Sequence, residues 1–208
     1  MAEIVALVDY GAGNLHSVQN ALKAAGAERV ELTSDPMVVR AADRIVLPGV
    51  GSFKACAEGL HAIPGLIEMH ERVFVGGAPF LGICVGMQLL ATRGLEHGET
   101  PGLDWIAGEV RAIEVTDPAI KIPHMGWNDV APMRHQDGAQ LIEPGEAYFL
   151  HSYHFVADEG AHVAALTDHG RSVVAAVERD NLVGVQFHPE KSQAYGLGFL
   201  SRFLEWKP

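Results

Sequence analysis

At 208 residues, 48% of them hydrophobic and 20% charged, the chain is long enough for one α/β domain around a fully buried sheet. Its 15 Lys and Arg against 26 Asp and Glu give a formal net charge of -11, which repels phosphate backbones and argues against a nucleic-acid partner. Two cysteines, Cys56 and Cys84, make no disulfide framework, and no apolar run approaches the roughly 18 residues of a membrane span, so a cytoplasmic protein with no membrane contact is expected.

Ile4–Val8 is a short apolar run ended by Gly11, Gly13 and Asn14, the pattern of a buried strand entering a loop. Glu3 and Asp9 interrupt the apolar N-terminus, and it has no positive leader, so it does not read as a signal peptide. Over residues 17–25, Val18, Ala21, Leu22 and Ala25 share one helical face, and Gly26 ends it. Strands are predicted at 29–32, 44–47 and 79–83, with helices at 52–60, 66–74 and 86–92. This alternation predicts a parallel sheet with helices on both faces. Beyond Trp105 the runs at 108–115, 148–150, 162–166, 173–177 and 182–187 are strand-like, their order open, and a helix closes the chain over 192–206. No repeat or linker divides the chain, so residues 1–208 form a single domain.

Pro79-Phe80-Leu81-Gly82-Ile83-Cys84-Val85-Gly86-Met87-Gln88 runs an apolar strand through Gly-x-Cys-x-Gly directly into a helix. This is a nucleophile elbow with Cys in place of Ser. Gly82 and Gly86 leave room for a tight turn, the helix start favours a thiolate, and the N–H of Val85 is placed to bind an oxyanion. Alone, the pattern fits a buried structural cysteine equally well. Gly184-Val185-Gln186-Phe187-His188-Pro189-Glu190 ends a late apolar strand; in extended chain His188 and Glu190 point to the same side, so a carboxylate can orient an imidazole. A surface His-Pro-Glu turn is the alternative, but beside the elbow the pair completes a nucleophile, base and orienter.

These motifs resemble those of the class I (triad) glutamine amidotransferases. The resemblance implies a flavodoxin-like three-layer sandwich with a mostly parallel central sheet and additional antiparallel strands in the second half. It implies that Cys84 attacks the carboxamide of L-glutamine, that His188 moves the proton to the leaving ammonia, and that Glu190 orients His188. Leu47-Pro48-Gly49-Val50-Gly51-Ser52-Phe53 is similar to the family's oxyanion strand, whose N–H at Val50 joins that of Val85 and whose glycines permit a peptide flip. Gly49, Gly51, Gln88, Ser152 and Tyr153 are the implied substrate contacts. Val85 departs from the commoner leucine, which a backbone contact tolerates.

Three stretches, at 9–15, 123–128 and 188–193, resemble one branch of the family in particular, whose glutaminase subunit delivers ammonia to a separate cyclase subunit in histidine biosynthesis. That resemblance implies a heterodimer with a (β/α)8-barrel cyclase, docking through Asn14, Met125, Trp127, Asn128 and Lys191, with no cofactor and no metal. The flippable Pro48-Gly49-Val50-Gly51 segment and the cost of wasted glutamine predict low activity until the partner binds its own substrate. The alternatives are a triad amidotransferase of anthranilate, pyridoxal-phosphate or guanylate synthesis, a partner-independent cysteine hydrolase, and a catalytically silent binding subunit. The Gly11-Ala12-Gly13 loop has His16 where a dinucleotide fingerprint needs a third Gly, and Cys56 reads as structural.

Overall fold

The computed structural model describes residues 2–133 and 141–208. Its first half follows β1 (Ile4–Val8), α1 (Leu15–Ala24), β2 (Arg29–Thr33), α2 (Pro36–Ala41), β3 (Arg44–Gly49), α3 (Phe53–Ala62), α4 (Leu66–Phe74) and β4 (Phe80–Cys84). A single turn, α5 (Val85–Gln88), leads to two short strands, β5 (Arg93–Gly94) and β6 (Thr100–Pro101). The second half is strand-rich: β7 (Gly108–Ala112), β8 (His124–Pro132), β9 (Gly145–His151), β10 (Tyr153–Ala157), β11 (Val163–Asp168), β12 (Ser172–Arg179) and β13 (Leu182–Val185). The chain ends in α6 (Gln193–Glu205).

Among the described residues one sheet has nine strands in the order β2-β1-β3-β4-β13-β12-β11-β8-β9. From β2 to β13 the pairings are parallel; from β13 to β9 they are antiparallel. The elbow strand β4 therefore lies between β3, where Gly49 pairs with Cys84, and β13, where Val185 pairs with Ile83. Three parallel strands thus end together, and ligands bind at such carboxyl ends in open α/β sheets. A second sheet, β10-β7-β5-β6, was not foreseen and takes up the chain after the elbow.

The helix expected over 86–92 stops at Gln88. The carbonyls of Leu89, Leu90 and Ala91, which would continue it, instead accept from the backbone of Leu103, Asp104, Trp105 and Ile106. Helix α2 was unforeseen, although Asp35 caps it by accepting from Met37 N at 2.8 Å and Pro36 opens its first turn. Strands β8 and β10 were likewise unforeseen, and β7 ends at Ala112, short of the expected Val115.

Burial of Phe53, Phe80, Phe149, Phe155, Phe187, Phe199 and Phe203 anchors the core, each ring contributing about 1.5–3 kcal/mol relative to exposure. Phe187 meets Phe149, Tyr195 and Phe199 edge-on at centroid distances of 5.6–6.0 Å. That packing fixes the chain just before His188. Arg44, buried at the start of β3, donates through Nη1 to the carbonyls of Phe203 (3.0 Å) and Trp206 (2.8 Å) and so neutralises the C-terminal end of α6. No helix among the described residues is long and apolar enough to cross a membrane.

Candidate active site

Cys84 sits at φ 55°, ψ -112°, a backbone conformation that costs a residue with a Cβ on the order of 1–3 kcal/mol. Two glycines make the turn sterically possible. A Cβ on Gly86 would collide with the Leu47 carbonyl, and one on Gly82 would stand 2.6 Å from Gly86 O. The strain is held because β3 and β13 clamp β4 on both edges. The sulfur is buried, and Gln186 Nε2 donates to it at 3.7 Å. With α5 only one turn long, the helix macrodipole offers the thiolate little.

His188 faces the Cys84 sulfur and its Nδ1 lies 2.8 Å from Glu190 Oε1. Burial pulls this imidazole down, but hydrogen bonds to Cys84 and Glu190 and their negative charge outweigh it, and the pKa is pushed up to about 9. The pair does not form in extended chain as the spacing suggested. Pro189 opens a 3-10 turn, Pro189–Lys191, which brings the Glu190 carboxylate back under the ring. The other oxygen, Glu190 Oε2, is buried with no hydrogen-bond partner in the structure, so the carboxylate's charge is directed at the imidazole. Two more bonds hold His188 in place: its N donates to Tyr148 O (2.9 Å), and Ser192 Oγ donates to its O (2.7 Å).

A cavity opens over the sulfur. Val50, Gly51, Val85, Gln88, Ser152, Tyr153, His188 and Lys191 line it together with Cys84, so most of the residues singled out from sequence converge here. Gly49 does not line it; it packs in β3 against Gly86 N and the Tyr10 hydroxyl. Glu190 stands behind His188. Leu150 and His151 line the cavity beside the expected Ser152 and Tyr153. Two residues not singled out from sequence join them: Glu96 lines the cavity, and Gln186 bridges Gln88 and Cys84. A glutamine inside an otherwise apolar, fully buried run was the readable signal for Gln186.

The segment after β3 is held from behind. Tyr10 Oη donates to Pro48 O (2.6 Å) and Cys56 Sγ donates to Val50 O (3.3 Å), so Cys56 supports the wall of the cavity. Burial pushes both the Tyr10 hydroxyl and the Cys56 thiol up, keeping them protonated donors. Gly51 takes φ 97°, and the Glu96 carboxylate accepts from Phe53 N at 2.7 Å.

Three of the docking candidates, Met125, Trp127 and Asn128, lie on β8 next to the edge strand β9. Met125 and Trp127 are 65% and 48% exposed. Lys191 Nζ lies over the Tyr148 ring at 5.8 Å, and that ring meets Trp127 edge-on at 6.2 Å. Lys191 thus borders both the cavity and the edge. Asn14 caps the start of α1 without a side-chain bond. No group of three His, Cys, Asp or Glu among the described residues is arranged to hold a metal ion.

A thiol beside an imidazole oriented by a carboxylate, with a cavity above, is the equipment of acyl transfer through a covalent intermediate. The sequence profile of the family described as "Glutamine amidotransferase class-I" matches residues 6–205, and the chain belongs to that family, a family of enzymes. Within it the chain groups with the subunits named imidazole glycerol phosphate synthase subunit HisH. It is 56% identical to the one from Zymomonas mobilis subsp. mobilis, over 98% of this chain and 96% of that one. It is 49% identical to the one from Caulobacter vibrioides, over 99% and 100%. Among solved structures, one described as the crystal structure of glutamine amidotransferase superposes with a TM-score of 0.74, covering 96% of this chain and 97% of the other at 19% identity. That last likeness establishes the fold alone.

Proposed function

We propose that the chain is the glutaminase subunit of imidazole glycerol phosphate synthase and that Cys84, His188 and Glu190 are its catalytic residues. The observation that supports this reading most is the buried Glu190–His188 pair directed at the Cys84 sulfur under a cavity that admits a small amino acid. His188 takes the thiol proton, and the sulfur attacks the carboxamide carbon of L-glutamine. The N–H groups of Val50 and Val85 receive the oxyanion. His188 then protonates the departing nitrogen; the C–N bond breaks, ammonia leaves, and the acyl group remains on Cys84 as a thioester. Water, deprotonated by His188, attacks the thioester and releases L-glutamate. Gly49 and Gly51 shape the oxyanion wall, and Gln88, Ser152 and Tyr153 hold the amino-acid end of the substrate.

The ammonia passes to a cyclase subunit, a (β/α)8 barrel, docked on Asn14, Met125, Trp127, Asn128 and Lys191. There it enters imidazole glycerol phosphate and aminoimidazole carboxamide ribotide formation in histidine biosynthesis. The net charge of -11 suits this division, since a phosphorylated substrate is better bound by the partner. The whole is one domain and works in the cytoplasm. An assay of glutamate release, with and without the cyclase and its nucleotide, tests the reading. Turnover should need the partner and should fall by at least about 1000-fold in Cys84→Ala. Equal turnover in that variant would sink the assignment.

A further inference from the structure

Two buried histidines take no part in the reaction above. His124 on β8 and His151 at the end of β9 are cross-strand partners, and their Nδ1 and Nε2 atoms are 3.0 Å apart. Their exposures are 3% and 7%, so water does not satisfy them. Their proton positions follow from the backbone groups at either end. His151 Nδ1 is 2.9 Å from the Tyr153 carbonyl, which can only accept, so that nitrogen carries the proton and Nε2 of the neutral ring accepts. His124 Nδ1 is then the donor to His151, which leaves His124 Nε2 to accept from Asn128 Nδ2 at 3.0 Å. The Asn128 amide is itself oriented: its Oδ1 accepts from Asp129 N at 2.9 Å and its Nδ2 also donates to Asp168 O at 2.7 Å. Burial, with His169 stacked 4.1 Å from His124, keeps both rings neutral; His124 is lowered to about 4 and His151 to about 3.

The chain of bonds continues into the cavity. The Tyr153 carbonyl that receives His151 also accepts from Gln88 Nε2 at 3.0 Å. Gln88 Nε2 donates in turn to Gln186 Oε1 at 3.0 Å, and Gln186 Nε2 to the Cys84 sulfur at 3.7 Å. Asn128, on the same strand β8 that exposes Met125 and Trp127, is thereby connected bond by bond to Cys84.

We propose that the His124–His151 pair is a positioning relay that holds the Tyr153 carbonyl, and through it Gln88 and Gln186, against Cys84, so that glutamine binding answers to the placement of Asn128 on β8. The proposal rests on the glutaminase reading. His124 lies outside the cavity and His151 only borders it; neither bonds to the sulfur, and both act through Tyr153 and Gln88. Because cooperative hydrogen bonds in a buried network polarise one another, a break at either ring is felt along the whole row.

The first measurement is the nitrogen chemical shifts of the histidine rings in the intact protein labelled with nitrogen-15, with His124 and His151 assigned by single substitution. Both should be neutral with the proton on Nδ1, and Asn128→Asp, which places an acceptor against His124 Nε2, should protonate that nitrogen. A proton on Nε2 of either ring in the unaltered protein would overturn the relay. The second measurement is glutamine kinetics in the complex with the cyclase subunit. His151→Phe should raise KM about 10-fold with kcat within a few fold, while His151→Asn, whose amide can still donate to Tyr153 O, should regain most of that loss. An unchanged KM in His151→Phe, in a preparation whose turnover is lost on Cys84→Ala, refutes the relay and leaves the glutaminase reading standing. Turnover that survives Cys84→Ala refutes the glutaminase reading, and with it the relay's role. Should His151→Phe fail to fold, the ring shifts of the unaltered protein decide.

Discussion

The two walls of the cavity are built by different means. The Cys84 wall, from the parallel half of the sheet, is made by backbone: a strained φ at the nucleophile, and glycines where β3 and β4 leave no room for a Cβ. The facing wall, from the segment after β13 and from β10, is held by side-chain hydrogen bonds: Glu190 to His188, and Gln88, reaching over from the elbow turn, to Gln186 and the Tyr153 carbonyl. A backbone-built wall tolerates no added atom, whereas a side-chain-built wall loses function by degrees. Cys84 is therefore held rigidly, and the side chains that face it are adjustable.

The sharpest way to break this contrast is Gly86→Ala. The new Cβ meets the Leu47 carbonyl, which is pinned in β3, so the loss should be about 3 kcal/mol, or roughly 6–12 °C in Tm by calorimetry. A variant that melts like the parent would show that the elbow yields more readily than the packing suggests. Next comes Glu190→Gln. Because His188 is raised to about 9 in the folded protein against 6.5 unfolded, its bonding stabilises fully below pH 6.5 and is lost as pH rises through 9. Without the carboxylate the folded pKa should fall, so the decline in Tm between pH 6.5 and 9 should flatten and turnover should drop by about 10- to 100-fold. An unaltered Tm-against-pH curve would mean that Glu190 does not set the charge of His188. The smallest effect is expected for Cys56→Ala, which deletes the donor to Val50 O behind the cavity; about 1–2 kcal/mol should be lost, read by urea denaturation, with kcat within a few fold. Full loss of turnover would place Cys56 closer to the chemistry than its position implies.

The contrast also explains what could be read from the sequence. Backbone devices are local, so the strand, Gly-x-Cys-x-Gly and the glycines after Pro48 were legible at once. The His188–Glu190 pair was legible as a pairing, but its geometry was not, because Pro189 forms a 3-10 turn where an extended chain was expected. Strand β8 was missed because Gly126, Asn128 and Asp129 have poor strand propensity; pairing with β9 overrides it. Glu96 and Gln186 owe their places to contacts between segments far apart in the chain, which no spacing encodes. The capping Asp35-Pro36 signal of α2 was present and unused. Elbow α5 ended early because the 103–106 segment took its carbonyls, again a long-range cause.

The strand order carries a consequence for synthesis. β4, made by residue 84, acquires its second neighbour only when β13 at residues 182–185 has been made. Until then the emerging chain presents β4 with one open edge, and Cys84 lacks the facing His188. A chain that stops before β13 therefore carries its elbow thiol on a half-paired strand, whose free edge is open to pairing with another chain.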